Sequence, residues 1–290
     1  MSIHKIVDKV SLGASSMAFK KSKYFRDSIE SKSLKKNIKA ISIQLPEING
    51  VGLYEFKVST LAGDFDTAFK VAQWKGKNYP TIIYHHGAAE IPFDYGFKKI
   101  FPIHKENINA NLILIRAPFH RKIKEFLNNI HTLDKYVAML STSVQLMESL
   151  VQYSKNNTDK SVILTGVSLG GFSTNLHHTY FNSADVYKPL LSGTKMAQAL
   201  LESAYSGMIS TFAKENSEKV KEILDFTADF KKVDNKNVFA LLSKHDQVVY
   251  FENEYSIYLS ENLTVINKGH ATGSSAFKVL RKHIVSGLEI

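Results

Sequence analysis

Residues 161–171 read Ser-Val-Ile-Leu-Thr-Gly-Val-Ser-Leu-Gly-Gly, and this stretch decides the fold. The apolar, β-branched run Val162–Leu164 is typical of a buried strand, and it leads into Gly-x-Ser-x-Gly, in which Gly166 and Gly170 flank Ser168. A serine on a sharp strand-to-helix turn has strained backbone, and side chains two residues to either side would collide there unless both were glycine. The stretch therefore predicts a strand, a tight turn that presents the hydroxyl of Ser168, and a helix.

Two loops late in the chain supply the partners that a nucleophilic serine needs. The base must accept the hydroxyl proton, and an acid must orient the base. The strand-like run 237–242 ends shortly before Asp246, and the next apolar run, 263–266, ends shortly before His270. The chain order of serine, acid and histidine fits a catalytic triad. We predict Ser168 as nucleophile, His270 as base and Asp246 as the orienting acid.

Other acids and histidines compete for these roles. Glu202 lies near the end of a possible sixth strand, and Asp234 precedes a strand instead of following one. The chain has 11 histidines, so the type of residue alone identifies no base. Three of them are assigned to packing or to the surface: His177, His178 and His283. His245 adjoins Asp246 but precedes the loop that should carry the base. For His283, in a basic C-terminal helix, we expect a surface position.

These motifs resemble the α/β-hydrolase superfamily, from about Lys39 to the C-terminus. Residues 85–88 read His-His-Gly-Ala directly after the apolar strand 81–84, similar to the His-Gly segment that follows the third strand in that superfamily. The resemblance implies an oxyanion hole made by the backbone amides of Ala88 and Leu169, and neither a cofactor nor a metal. A simple turn at 85–88 is the alternative. The residues that support these motifs are His86, Gly87, Gly166 and Gly170.

Strand-like and helix-like segments alternate along the chain, which predicts an α/β fold with a mostly parallel central sheet and helices on both faces. Two or three opening strands, among the segments 40–45, 52–61 and 65–74, are expected to be antiparallel. An apolar stripe with a spacing of three or four residues predicts a long helix over 133–151. We expect a single domain over 39–290. Its segment 180–232 is predicted to be a helical cap insertion. The apolar residues of this segment line either an acyl pocket or the core of the insertion: Tyr187, Leu190, Leu191, Met196, Tyr205, Met208 and Phe212.

Composition and charge indicate where the protein is located and which partners it has. No run approaches the ~18 consecutive apolar residues of a membrane span, and the N-terminus lacks the core of a signal peptide. The absence of cysteine excludes disulfides and fits a cytoplasmic location. The net charge of +10 is spread along the chain without a dense basic tract, so we expect no nucleic-acid partner. The basic segment 1–38 is interpreted as a solvated helical segment over the sheet edge, with binding to an anionic membrane surface as the alternative.

The sequence thus predicts a serine hydrolase that cleaves a small-molecule carboxylic ester through an acyl-enzyme intermediate. Hydrolysis of amides, thioesters or peptides uses the same constellation and stays open. Two further alternatives are a non-catalytic binding module and a membrane-associated lipase. Three basic residues follow the predicted fourth strand: Arg116, His120 and Arg121. We expect them to form surface salt bridges, with binding of an acidic substrate group as the alternative.

Overall fold

The computed structural model describes residues 2–18 and 22–288 of the 290-residue chain. The strands are β1 (Gly52–Thr60), β2 (Gly63–Gln73), β3 (Thr81–His85), β4 (Asn111–Arg116), β5 (Val162–Val167), β6 (Val186–Leu190), β7 (Ala240–Ser243) and β8 (Leu263–Ile266). The α-helices in the described part are α1 (Ile3–Ala18), α2 (Leu34–Ala40), α3 (Tyr95–Ile100), α4 (Ile123–Asn129), α5 (Leu133–Asn157), α6 (Leu169–Tyr180), α7 (Met196–Leu201), α8 (Thr211–Glu215), α9 (Ser217–Leu224), α10 (Thr227–Phe230), α11 (Phe251–Glu254), α12 (His270–Ser274) and α13 (Phe277–Val285). Short 3₁₀ turns cover Ala204–Met208, Tyr255–Ile257 and Ser260–Asn262.

All eight strands form one sheet in the order β1-β2-β4-β3-β5-β6-β7-β8. The pairs β1–β2 and β2–β4 are antiparallel, and every other neighbouring pair is parallel. Every residue of β3, β4 and β5 is buried, because parallel strands covered on both faces need nearly continuous apolar runs. The predicted α/β architecture with a mostly parallel sheet is confirmed.

Helices cover both faces of this sheet. On one face, α5 and α6 pack into the larger apolar core, and on the other, α3 and α13 pack into the smaller one. The apolar stripe predicted for the long helix lies against the sheet in α5, where each member is at most 1% exposed: Leu133, Val137, Leu140, Val144, Met147 and Val151. Burial of this stripe holds α5 over the centre of the sheet, beside the strand that precedes Ser168.

Two of the strand predictions were wrong. Residues 40–45 do not pair as a strand, because helix α2 occupies 34–40 and the following segment lies along α5. Side chains of α5 hold both parts, since Gln145 donates to the carbonyl of Ile38 in α2 and Ser149 donates to that of Ile43 in the segment after it. The possible sixth strand near Glu202 is instead β6, which ends at Leu190. Strand β6 therefore lies inside the segment 180–232, and the helices of that segment begin after it.

The N-terminal segment lies elsewhere than expected. Helix α1 contacts the loops that follow β7 and β8 instead of the sheet edge, and residues 22–33 are not helical. Lys20 and Lys21, part of the predicted basic helix, are outside the described residues. Among the helices that the structure describes, none has both the length and the hydrophobicity to cross a bilayer. The expectations of a cytoplasmic location and of no nucleic-acid partner stay predictions.

Candidate active site

Ser168 lies on the tight turn between β5 and α6. Its backbone has φ 54° and ψ −111°, an unusual conformation for a residue with a side chain. A Cβ atom added to Gly166 would lie 2.5 Å from the carbonyl carbon of Gly170, and one added to Gly170 would lie 2.2 Å from the carbonyl oxygen of His85. Both distances are far below contact, so this turn forms only with glycine at the two positions.

The structure brings Ser168, His270 and Asp246 together. The Nε2 atom of His270 lies 3.0 Å from Oγ of Ser168, and its Nδ1 atom lies 2.7 Å from Oδ2 of Asp246. The serine and the histidine are 102 positions apart in the sequence, and each of the three residues follows the end of a parallel strand. The amides of Val248 and Val249 donate to Oδ1 of Asp246 at 2.7 and 2.8 Å, which fixes the carboxylate that faces the histidine.

Burial and charge act in opposite directions on His270. Burial by itself lowers the pKa of His270, but the charge and hydrogen bond of Asp246, together with the charge of Asp8, raise that pKa above its ordinary value. The Asp246 side chain is 1% exposed and that of His270 is 15% exposed, so the acid is shielded from water while the base reaches the surface of a cavity. Such an arrangement makes the imidazole a stronger base toward the serine hydroxyl.

Residues 85–88 lie beside the turn at Ser168 because β3 and β5 are parallel neighbours, with His85 in register with Gly166. The Nε2 atom of His86 accepts from the amide of Ala117, so its Nδ1 carries the hydrogen and donates to the carbonyl of Gly87. Among the described residues, no group accepts a hydrogen bond from the amide of Ala88 or of Leu169. Both residues line the cavities at Ser168.

Comparison with known proteins gives a result only at the level of structure. No protein-family profile matches this chain, and no curated protein matches its sequence. Acetyl xylan esterase 1 from Thermoanaerobacterium sp. superposes with a TM-score of 0.54 and 12% identity, over 92% of this chain and 98% of that one. An esterase from Pyrobaculum calidifontis gives 0.52 and 9%, over 98% and 93%. The fold is that of the α/β-hydrolases.

A peptidase has the same α/β-hydrolase fold. The acylaminoacyl peptidase of Pyrococcus horikoshii superposes with a TM-score of 0.53 and 13% identity over 82% of this chain. The chain spans only 41% of the length of that peptidase. At such identities the structural likeness shows the α/β-hydrolase fold alone.

Two cavities meet at Ser168, the predicted nucleophile position of this α/β-hydrolase fold. The wider one has a volume of about 220 Å³ and is also lined by His270. The narrow one, about 40 Å³, has mostly aromatic and aliphatic walls: Tyr24, Tyr136, Phe172, Met196, Ala199, Leu200, Tyr205 and Val248. Of the residues considered for an acyl pocket, Met196 and Tyr205 line the narrow cavity, whereas Met208 is buried away from both cavities and Phe212 is 44% exposed.

The rival acids lie away from the base. Glu202 forms a salt bridge with Lys221 at 2.9 Å, and the exposed Asp234 lies 3.4 Å from Lys236. Neither is a hydrogen-bond partner of His270, whose Nδ1 faces Asp246. The carboxylate that faces His270 is therefore that of Asp246, on the loop after β7.

The remaining basic candidates have partners within the protein. Arg116 is buried against Glu55, and Arg121 lies near Asp66 and Glu125 on the surface. The imidazole of the buried His120 contacts the carbonyl of Ala88 at 3.1 Å, so it supports the loop at 85–88.

Three histidines far from the relay are buried by packing. His177 contacts Glu148, and His178 contacts the carbonyl of Asp234. The surface position expected for His283 was wrong: it is 9% exposed, and its Nε2 lies 3.0 Å from the carbonyl of Phe239.

Two acids that no sequence motif indicates contact the loops of this site. Glu90 accepts from the amides of Gly87 and Gly96, at 3.1 and 2.9 Å, and thereby braces the segment before Ala88. Asp8 reaches from α1 to the amide of His270 at 2.7 Å. Neither acid belongs to a local motif, so only the folded chain reveals its position.

Proposed function

We propose that this protein is a serine hydrolase that cleaves carboxylic esters of small molecules through an acyl-enzyme intermediate. The observation that carries the proposal is the continuous relay from Oγ of Ser168 through His270 to Asp246, at 3.0 and 2.7 Å. Three reactive groups drawn from distant parts of the chain meet there at hydrogen-bonding distances, on an α/β-hydrolase fold. That geometry is the one required for attack by a serine on an acyl carbon.

In the first half of the reaction, Oγ of Ser168 attacks the ester carbonyl carbon while Nε2 of His270 takes the hydroxyl proton. The imidazolium that forms is stabilised by Asp246, whose Oδ2 accepts from Nδ1. Collapse of the tetrahedral intermediate breaks the bond to the alcohol oxygen, which receives the proton from His270. A water molecule then repeats the sequence, with His270 as its base, and releases the acid from Ser168.

The amides of Ala88 and Leu169 are the proposed oxyanion donors. Their hydrogens have no acceptor among the described residues, and both residues line the space at Ser168. Each fixed donor of this kind typically lowers the barrier by ~3 kcal/mol. The contact of His86 with Ala117 and the braces from Glu90 hold the segment that carries one donor, so little reorganisation is needed as charge develops.

The two cavities indicate how an ester is oriented. His270 lines the wider cavity and not the narrow one. Because His270 returns its proton to the departing oxygen, the alcohol occupies the wider cavity and the acyl group the narrow one. The narrow cavity, at about 40 Å³, is much smaller than the wider one, at about 220 Å³. The preferred substrates are therefore esters of short acids, acetyl above all, with a larger alcohol.

The segment 180–232 acts in this proposal as the cap, in the part that follows β6. Helix α7 contributes Met196, Ala199 and Leu200 to the wall of the narrow cavity, which supports a cap that limits the acyl group. Residues 39–290 form the single catalytic domain of this proposal, and 1–38 form its N-terminal segment.

The proposal is tested with a fluorophosphonate probe on the full chain, followed by peptide mass mapping. We expect one adduct, on Ser168, and none on the Ser168→Ala variant. Ser173→Ala is a matched control on α6, the helix that follows Ser168; the hydroxyl of Ser173 donates to the carbonyl of Leu169, and the variant should be labelled normally. An adduct on another serine, or no adduct on folded protein, would contradict the proposal, and the latter result would favour a binding module without turnover.

A further inference from the structure

Asp8 is an acidic residue of α1 that is fully buried against the candidate active site. Its carboxylate accepts three backbone hydrogen bonds. Oδ2 accepts from the amide of His270 at 2.7 Å and from that of Gln247 at 3.1 Å, and Oδ1 accepts from Ala271 at 2.9 Å. The partners lie up to 263 positions away in the sequence.

These three amides belong to the two loops that carry the base and its acid. His270 and Ala271 open helix α12, and Gln247 directly follows Asp246. The first amides of a helix lack partners within it, and a side chain at the preceding residue normally supplies one. That residue is Gly269, which has no side chain, so Asp8 supplies the missing acceptor from another helix.

His4, which also lies on α1, contacts the same two loops. Nδ1 of His4 lies 3.0 Å from Oγ1 of Thr272, and the ring of His4 stacks on that of His245 at 6.0 Å. Three apolar side chains of the helix, Ile3, Ile6 and Val10, are exposed, whereas Asp8 is fully buried. Polar groups of His4 and Asp8 therefore link α1 to the loops of the base and the acid.

We propose that Asp8 is a positioning residue of the hydrolytic site, which holds the backbone of His270 and the loop of Asp246 in the arrangement that the relay requires. The inference rests on the proposed function. It gives the N-terminal helix α1 a role in the geometry of the hydrolytic site. Asp8 touches neither substrate nor reacting atoms. It acts through the backbone on which the base is mounted, and its negative charge also acts on the imidazole.

The first test compares Asp8→Asn with Glu254→Gln in the full chain. Glu254 is a matched control, because its buried carboxylate accepts from the amides of Thr194 and Lys195 and has no contact with His270. We expect kcat/KM for p-nitrophenyl acetate to fall roughly 10- to 100-fold in Asp8→Asn, since a small misplacement of a catalytic group has an effect of that size. Glu254→Gln should stay close to the unmodified protein.

A pH profile separates a positioning role from a general loss of stability. The charged groups that face His270 are Asp246, on the loop after β7, and Asp8, on α1. Two further titratable groups lie nearby: His4, which contacts Thr272, and His245, which stacks on His4. Both acids raise the pKa of His270. Removal of the Asp8 charge should therefore shift the acidic limb of kcat/KM to lower pH, whereas Glu254→Gln should not shift it.

A second variant perturbs Asp8 without changing it. A Cβ atom on Gly269 would lie 2.6 Å from Oδ2 of Asp8, and its three nearest neighbours are all Asp8 atoms. Gly269→Ala should therefore displace the carboxylate and reduce kcat/KM, roughly as Asp8→Ala does. In the Asp8→Ala background the same change should cost little, because the atoms that it meets are gone.

Three results would overturn the inference. One is an Asp8→Asn variant with unchanged kcat/KM. Another is a loss of rate without a shift of the acidic limb, equal to the loss in Glu254→Gln. The third is a double variant, Asp8→Ala with Gly269→Ala, in which the loss of kcat/KM equals the sum of the two single losses in free energy. If Ser168 of the unmodified chain took no phosphonate, the proposed function and this inference would fall together. Labelling of Ser168 at one rate in both the unmodified and Asp8→Asn proteins would reject the role of Asp8 alone.

Discussion

Met196 should set the length of the acyl group that this protein accepts. Its side chain is 2% exposed and forms part of the wall of the narrow cavity beside Ser168. The change to alanine removes Cγ, Sδ and Cε, which extends a space that otherwise measures about 40 Å³. The two extra methylene groups of a butyryl ester then have somewhere to be buried.

Area burial gives the size of the effect. Each buried methylene contributes ~0.8 kcal/mol, so two contribute ~1.6 kcal/mol, or roughly 15-fold in kcat/KM. We expect the ratio of butyrate to acetate hydrolysis to rise by about that factor in Met196→Ala, measured with p-nitrophenyl esters. The rate of phosphonate labelling at Ser168 should change little, because the turn at Ser168 belongs to the rigid sheet.

Met208→Ala is the matched control for this experiment. Met208 is also 2% exposed, but it lines neither cavity. Both substitutions empty a buried site and should cost ~2–5 kcal/mol of the free energy of unfolding, so thermal unfolding is measured alongside activity. The reasoning is refuted if Met196→Ala leaves the butyrate-to-acetate ratio unchanged, or if Met208→Ala raises it equally.

Three further predictions follow from the same site. His270→Ala should lower kcat roughly 10⁶-fold and Asp246→Asn roughly 10⁴-fold in steady-state assays, while Glu202→Gln leaves it unchanged; a near-normal rate for His270→Ala would reject the base. Because protonated His270 cannot accept the serine proton and its pKa is raised, activity should disappear as pH falls, with a midpoint of kcat/KM above the ordinary histidine value of ~6.5; a midpoint below that value contradicts the role of Asp246. Gly170→Ala should sharply lower the melting temperature, since its Cβ would lie 2.2 Å from the carbonyl oxygen of His85, whereas Gly13→Ala, which meets nothing within 4 Å, should not; equal effects would show that the turn tolerates a side chain.

The parts of the molecule that sequence predicts well are those with a local cause. The turn at Ser168 is specified by two glycines in one pentapeptide, and the added-Cβ distances show why. The loops of Asp246 and His270 follow from apolar runs that end beside them, β7 and β8. The carboxyl ends of parallel strands share one edge of a sheet. The positions of Ser168, Asp246 and His270 after three such strands therefore predict that their side chains lie close together.

Strand β6 shows where the local pattern fails. It reads Val-Tyr-Lys-Pro-Leu, so a charge and a proline interrupt the apolar run that predicts a buried strand. The fold compensates for the charge: Nζ of Lys188 donates to the carbonyls of His283 and Ser286. Those partners are more than 90 residues away, and no pattern in the strand announces them.

The local pattern also gives the wrong orientation for helix α1, for a related reason. A pattern of Ile3, Ile6 and Val10 would normally mark the buried side of a helix and leave an acid such as Asp8 in water. The structure has the reverse, with the three apolar side chains exposed and the carboxylate fully buried. The amides of His270 and Ala271 decide this arrangement, because buried donors need an acceptor wherever the chain can supply one.

The central claim, that Ser168 carries the acyl group during turnover, is tested most directly by trapping that group. The full chain is mixed with p-nitrophenyl acetate, the reaction is quenched in acid within the first turnovers, and the acetyl group is located by peptide mass mapping. We expect acetyl on Oγ of Ser168, with no acetylated intermediate and no turnover in Ser168→Ala. Acetyl on a different residue, or undiminished hydrolysis by Ser168→Ala, would contradict it.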